Sequence, residues 1–525
     1  MSRRARIALI AIPVAFLVVW FVYPLGAIVW RTLGSDPGAI GRVLSDARVR
    51  QVIWFTLWQA TLSTMTTLIV GLPIAYVASR FAFVGRRAFN AMLLVPFVLP
   101  TIVVGMAFTG WAGSVLAIVV AHVFFNVAVV VRVVGAAWGS IGHDVEDAAE
   151  ELGASGWRRF TRILLPLGRP AIVSAATIVF LFTFTSFGVV LLLGGPGRMT
   201  IEVEIFRRTS QFLDLSAASV LALVQLVFVS VLLTVDAVLA GRAPDAGDHV
   251  TTAGRAPRTR GERAVLGAVV IGALALVALP LFRLVRRSLT GQDGLTFANY
   301  LHIGEGRRGG VFEISASGAI WTSVRAATIA AVLALTVGGL LAIGVGLSAR
   351  KRGAWALIAV PLGVSAVTLG FGFVVAFDRP PLDLRASPWL VPIAQALIAM
   401  PFVVRIVAPA VSNADRTLGE SAAALGASPW QALRDVTLPA CAGAIRTAAV
   451  FSFTIALGEF GATAFLARAD QPTIPVAIAR LLGQPGTSSI GQAAALAVIL
   501  LLVTLAAAFL LGGGLFGGRN VRALR

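Results

Sequence analysis

The sequence predicts an all-α polytopic membrane protein of about twelve transmembrane helices, arranged as two parallel six-helix repeats. Three observations carry that prediction. Of 525 residues, 58% are hydrophobic and 13% charged, and the mean hydropathy is +0.89; soluble domains are about half apolar and a quarter charged. Crossing the ~30 Å hydrocarbon core takes roughly 20 apolar residues as a helix. Twelve stretches reach that length, at 7–30, 53–79, 90–111, 114–134, 171–194, 215–240, 264–283, 319–347, 354–377, 388–410, 441–467 and 488–516. They are too long for barrel strands, and lipid tolerates no unpaired backbone, so they should be helices. Finally, Asp147–Pro166 (DAAEELGASGWRRFTRILLP) and Glu420–Pro439 (ESAAALGASPWQALRDVTLP) are two copies of one pattern, 273 positions apart.

In chain order, a basic start (Arg3, Arg4, Arg6) leads into the apolar run Ile7–Trp30. That run is longer than the core of a secretory signal and no small-residue cleavage site follows closely, so it reads as a retained first helix. Arginine-rich clusters then recur in alternate loops: Arg86 and Arg87; Arg158, Arg159 and Arg162; Arg350, Lys351 and Arg352; Arg519, Arg522 and Arg525. The positive-inside rule assigns these loops, both termini and both repeated motifs to the cytoplasm. Arg31, Arg42, Arg48, Arg50, Arg286 and Arg287 run against that bias. A net charge of +19 spread in this way follows membrane topology rather than a nucleic-acid-binding face. Gly241–Arg263, rich in Gly, Pro, Thr and Arg, reads as a flexible cytoplasmic linker between two membrane-spanning halves, 1–240 and 264–525. Cys441 is the only cysteine, which excludes an intrachain disulfide and a thiolate metal cluster.

The offset extends beyond the motif. Arg132 aligns with Arg405, Phe187-Gly188 with Phe460-Gly461, and Thr200-Ile201 with Thr473-Ile474; earlier, Pro96 aligns with Pro361 and Ala60-Thr61 with Ala327-Thr328. Six spans per half with both motifs on one side make the repeats parallel, so a substrate path should lie on the axis between them. Gly338, Ala342 and Gly346 form a small-residue stripe that permits close helix packing.

Within the first copy, Val145–Leu152 reads as a short helix ended by Gly153 in the left-handed region. Ser155 caps the next helix, on which Trp157, Phe160, Ile163 and Leu164 form an apolar face and Arg158, Arg159 and Arg162 a polar one. In the second copy Ser428 is followed by Pro429, which is favoured at the first helical position. A duplicated amphipathic helix–turn–helix in a membrane chain calls for a partner outside the membrane.

This pattern resembles the EAA motif of importer permeases in the ATP-binding cassette superfamily. The resemblance implies a type I ABC importer permease fold. It also implies that the short helix before each Leu-Pro is a coupling helix seated in a nucleotide-binding subunit. Carried over, the coupling residues are Asp147, Ala148, Ala149, Gly153, Glu420, Ala422 and Gly426; Asp147 stands where the family usually has Glu, and Ser421 where it has its first alanine. Two copies of the motif imply two copies of a separate ABC ATPase subunit. That ATPase would hold ATP and Mg²⁺, with no cofactor in this chain. Lys351 is the only lysine and no P-loop pattern surrounds it, so ATP hydrolysis is not expected here and the chain is not an enzyme. Importers of this kind also receive substrate from an extracytoplasmic binding protein, for which the loops 195–213 and 468–487 are candidate contacts.

Ala121–Asn126 (AHVFFN) ahead of Arg132, Ser186-Phe187-Gly188, Gly194-Gly195-Pro196 and Thr200–Val203 resemble the thiamine permease branch. Ferric-iron permeases share the fused layout, and Gly458–Ala462 is also similar to molybdate and sulfate permeases. Glu459, expected well inside the eleventh span, is either a polar group lining the translocation path or a helix-packing hydrogen-bond partner. Ser186 is its counterpart in the first half. His122, placed near the inner membrane boundary, reads as an interhelical hydrogen-bond partner. A secondary transporter predicts several intramembrane charges and leaves the repeated motif unexplained. A membrane enzyme needs a catalytic cluster that four scattered histidines do not provide.

Overall fold

The computed structural model describes residues 3–240, 254–291, 294–303, 316–346, 364–378, 383–414, 421–484 and 486–511, and most of them are helical. The first half contains α1 (Ile10–Gly34), α2 (Ala47–Arg80), α3 (Arg86–Val98), α4 (Thr101–Trp111), α5 (Val115–Ser140), α6 (His143–Glu151), α7 (Gly156–Phe184), α8 (Gly188–Leu193), α9 (Ile201–Ser210) and α10 (Leu215–Val235). The second contains α11 (Arg260–Ser288), α12 (Ala316–Gly346), α13 (Ala366–Ala376), α14 (Leu390–Asn413), α15 (Trp430–Ala440), α16 (Ala442–Gly458), α17 (Thr463–Leu466), α18 (Ile474–Leu482) and α19 (Ser488–Phe509). A two-residue hairpin, Thr290–Gly291 with Gly294–Leu295, is the only strand pair among the described residues.

Nine of these helices are long and apolar enough to cross a bilayer, and α3–α4 and α15–α16 each form a bent pair, at 98° and 70°. The described residues thus account for up to 11 spans against the twelve expected. Of the remaining stretch, 354–377, residues 354–363 lie outside them, and α13 is the helix in the rest. Three expected spans are interrupted. The run 90–111 bends at Leu99-Pro100, where proline has no N–H to continue the ladder and forces Leu99 to extended geometry (φ −68°, ψ 115°). The run 171–194 stops at Phe184 and resumes at Gly188, and 441–467 stops at Gly458.

The segments read as outer loops, 195–213 and 468–487, instead carry α9 and α18, which fold back into the core. Ile201 and Ile474 are almost fully buried. Both helices start alike: Ile201 N–H donates to Thr56 Oγ1 (3.0 Å) and Ile474 N–H to Ser323 Oγ (2.7 Å). A short amphipathic helix capped by a hydroxyl of the second span is therefore a device of each half.

The first span of each half packs on the other half. From α1, Trp20 and Tyr23 set their rings 5.3 and 5.8 Å from Phe377. In return α11 lies on α2–α4: Ala273 joins the cluster of Phe89 and Leu93, Arg283 sits 4.6 Å from the Trp111 ring, and Arg287 donates to Thr109 Oγ1 at 2.5 Å. Two of the arginines that break the charge bias are thus partnered: Arg287 here, and Arg42 by Asp36. Of the linker stretch, 241–253 lies outside the described residues. Beyond it, Arg255 pairs backbone with Arg80 and Ala82 (both 2.9 Å) and lies 5.3 Å from the Phe81 ring centroid. α11 then begins inside the stretch read as linker, with a Thr259/Glu262 capping box. The Glu262 carboxylate also accepts from Arg255 (2.5 Å) and from the N–H groups of Arg258 (2.7 Å) and Thr259 (3.4 Å).

The small-residue stripe seats α12 against α14. A Cβ on Gly338 would come within 2.8 Å of Met400 Cγ, and one on Gly346 within 2.9 Å of Val411 Cβ. Gly338→Leu should therefore overpack the crossing by about 1–3 kcal/mol and lower the melting midpoint of the solubilised protein. Gly267→Leu on α11, where nothing lies within 4 Å, should not; equal midpoints would contradict this packing.

Candidate functional site: two capped turns and a central cavity

The repeated motif folds into one hydrogen-bond pattern twice. In the first copy Leu152, Gly153 and Ala154 donate to the carbonyls of Ala148, Glu150 and Ala149; in the second, Leu425, Gly426 and Ala427 donate to those of Ser421, Ala423 and Ala422. Gly153 and Gly426 sit at φ +79° and +86°, where a Cβ is strained, with open space around each. Ser155 Oγ accepts from Arg158 N–H (3.4 Å) and Ser428 Oγ from Gln431 N–H (3.3 Å), and Gln431 returns the bond to Ser428 N–H (2.8 Å).

In each copy the next helix opens into a π-helical stretch, Phe160–Leu164 and Leu433–Thr437. Leu165 and Leu438 reach back five residues because Pro166 and Pro439 cannot donate. The helix after the first turn does not end at Leu-Pro; it runs on as α7, so the separate short helix of the motif is α6. The carbonyl of Leu164 takes the indole N–H of Trp138 (2.8 Å), which ties the motif to α5.

Two expected positions differ. Arg159 leaves the polar face and is buried, paired with Glu150. Trp157 leaves the packed stripe: it is 73% exposed, stacked on Phe160 at its rim. With Leu152 and Leu425, each 89% exposed, and Trp430 at 60%, each turn presents an apolar tip. Arg80 and Glu146 form a buried ion pair (2.9 Å), and Arg80 also donates to Ile141 O (2.8 Å), so α6 is clamped to the end of α2. Asp147 lies 3.9 Å from Arg258. Glu420 lies outside the described residues.

Between the halves is a cavity of about 330 Å³. The non-helical breaks all reach it: Leu99-Pro100 and Thr185–Phe187 from the first half, Val364-Ser365 and Gly458–Phe460 from the second. Phe187 and Phe460, equivalent in the repeat, stack across the halves at 5.0 Å, and Phe206 and Phe465 extend that wall at 5.4 Å. Phe97, Val98, Phe451 and Thr454 also line a second cavity of about 350 Å³ that includes Ser79, Arg86 and Arg132. The lumen therefore continues toward the end of α2 that holds the motif.

Ser186 and Glu459 both stand at these breaks. Glu459 is the residue at which α16 ends, not one inside a helical span. Its two carboxylate oxygens accept the N–H groups of Ala462 (2.7 Å) and Thr463 (3.0 Å). Ser186 Oγ pairs with His122 Nε2 (2.8 Å), whose Nδ1 meets Ser63 Oγ (3.0 Å). His122 is thus the interhelical partner expected, but it lies in the early part of α5 at the central cavity, not at the inner boundary.

Sequence reading missed Glu202, which lines the same cavity from α9 and is fully buried. It was hidden by the assignment of 195–213 to a loop. The matched Thr-Ile pairs at 200 and 473, followed by the amphipathic IPVAIARLL, were the signal that these segments are helices.

Two segments, 68–243 and 334–513, match the family described as the binding-protein-dependent transport system inner membrane component. Together they cover more than half of the chain, which therefore belongs to this family of ABC transporter permeases. A thiamine transport system permease protein of Salmonella typhimurium is 26% identical over 521 residues, covering 92% of this chain and 91% of the relative. One from Brucella suis is 27% identical over 489 residues, 86% of each. A sulfate transport system permease protein of Escherichia coli is 30% identical over 228 residues, 39% of this chain and 82% of the relative. The protein is a multi-pass membrane permease with two copies of the family domain.

The paired N–H groups define what Glu459 does locally. Glu459→Ala leaves two buried donors unpaired at about 1–3 kcal/mol each and should lower the melting midpoint of the solubilised protein. Glu459→Gln keeps one acceptor and should fall between. A Glu459→Ala protein as stable as wild type would show that these bonds do not hold the break.

Proposed function

We propose that this chain is the translocation subunit of an ATP-driven importer, that its halves 1–240 and 264–525 each act as a permease domain, and that the substrate is thiamine. The observation that carries the reading is the cavity on the pseudo-twofold axis, where the helix breaks of both halves converge. A path on that axis opens to either side as the halves rock against each other.

In this reading, each capped turn docks on one copy of a separate ABC ATPase that binds ATP and Mg²⁺. The docking residues are Asp147, Ala148, Ala149 and Gly153 in one half, and Glu420, Ala422 and Gly426 in the other. Both turns and both termini face the cytoplasm, as the arginine-rich loops support. Closure of the ATPases moves the turns, and the clamp between α6 and α2 carries that motion to the cavity. An extracytoplasmic binding protein delivers substrate at the opposite end. Thiamine is supported by the two relatives named for it, which match nearly end to end, and by the cavity wall. The charged side chains lining the central cavity are the acids Glu202 and Glu459, set among phenylalanines. That lining suits an aromatic cation better than sulfate or molybdate.

Uptake of labelled thiamine, ferric iron and sulfate should be compared in cells with the whole system and in cells lacking only this chain. Chain-dependent thiamine uptake is expected. Iron uptake instead would move the substrate while keeping the importer. The double variant Gly153→Trp, Gly426→Trp should insert normally, lose co-purification with the ATPase and lose uptake. Normal transport by it would overturn the docking assignment.

A further inference from the structure

Glu202 is a fully buried acid with no cationic partner among the described residues. Two residues along α9, Glu204 is equally buried but ion-paired with Arg208 at 2.8 Å. No ion pair is found for Glu202 among the described residues. Its Oε1 accepts from Gln225 Nε2, while Oε2 is left without a donor of good geometry. The Ser365 hydroxyl approaches from the other half, but it donates to Thr368 Oγ1 at 3.0 Å. A carboxylate taken out of water without a counter-ion costs several kcal/mol, and the neutral amide of Gln225 offsets only part of that.

Symmetry separates scaffold from function here. The hydrogen bond that starts α9 recurs at α18, yet the 273-residue offset places Pro475 opposite Glu202 and Val498 opposite Gln225. The second half builds the same helix without the acid. A second, independent orphan faces the same cavity: Asn126, 1% exposed, donates to His122 O at 3.0 Å while its Oδ1 accepts nothing. Two unsatisfied acceptors thus belong to side chains that line a chamber walled by the stacked Phe187 and Phe460.

We propose that Glu202 is the charge-recognising residue of the pathway, and that Glu202 Oε2 and Asn126 Oδ1 with the phenylalanine wall form a site for a small organic cation. The cation supplies the positive charge that Glu202 lacks, and its ring packs on the phenylalanine faces. The proposal rests on the importer reading above, and its test keeps the two apart.

The first arm measures thiamine uptake kinetics by the complete transporter. Glu202→Gln should raise KM about tenfold, the loss of one ~1.4 kcal/mol interaction, with Vmax retained, and Glu202→Asp should recover part of the affinity. Reduced Vmax at unchanged KM would make Glu202 a packing residue and overturn the assignment. The second arm needs no substrate. In full-length Cys441→Ala protein, a Ser365→Cys reporter is labelled with a cationic and an anionic methanethiosulfonate. The cationic reagent should react about tenfold faster beside Glu202, and Glu202→Gln should remove most of that preference. Should Glu202→Gln fail to reach the membrane, Glu202→Asp carries the comparison and should keep the preference. A preference unchanged by Glu202→Gln, one lost in Glu202→Asp, or no labelling by either reagent would overturn the proposal. If the complete transporter does not take up thiamine but the reporter behaves as expected, the substrate reading falls while the cation site stands.

Discussion

A backbone that leaves the helix inside a membrane must find partners from within the protein, and the architecture rests on how that demand is met. Lipid offers no hydrogen bonds to an open N–H or C=O. Here several of the breaks are answered by a nearby polar side chain. Thr56 and Ser323 take the first N–H groups of α9 and α18. Glu459 takes those of Ala462 and Thr463, and Ser365 that of Thr368. Gln59 donates to the carbonyl of Thr183, and Thr200 Oγ1 to that of Ser186. Because the breaks are satisfied, they can face a cavity instead of being packed away. The cavity follows from this solution.

Duplication and divergence then divide the work. The pieces that recur at the repeat offset are backbone devices: the left-handed glycine turn, the serine cap, the π-helical stretch before Leu-Pro, and the hydroxyl that starts the folded-back helix. Side chains that line the central cavity diverge from their repeat equivalents, with Ser186 opposite Glu459 and Glu202 opposite Pro475. The result is a symmetric frame around an asymmetric lining. The exchange of α1 and α11 between halves, with the α6 clamp on α2, gives a rigid-body motion of one half contacts through which to act on the other.

Much of this was legible beforehand for identifiable reasons. The turns were readable because Gly153, Ser155, Gly426 and Ser428 act through local backbone geometry, which neighbours in sequence decide. The spans were readable because lipid imposes a length and a polarity. Arg159 and Trp157 were misplaced for the converse reason: helical periodicity says which residues share a face but not which neighbour covers it. The loops at 195–213 and 468–487 were misread because polar ends masked short helices, and a fold back into the core leaves no span-length signal.

Local and one-dimensional constraints therefore came from the sequence alone: the helical class, the two halves, the repeated capped turns and the absence of a P-loop from this chain. Tertiary structure alone decided what depends on residues far apart in the chain. It turned Glu459 from a residue within a span into the acceptor at a break, moved His122 to the central cavity and brought Glu202 to the axis. Burial and hydrogen-bond satisfaction are properties of a neighbourhood, and packing of the halves sets that neighbourhood.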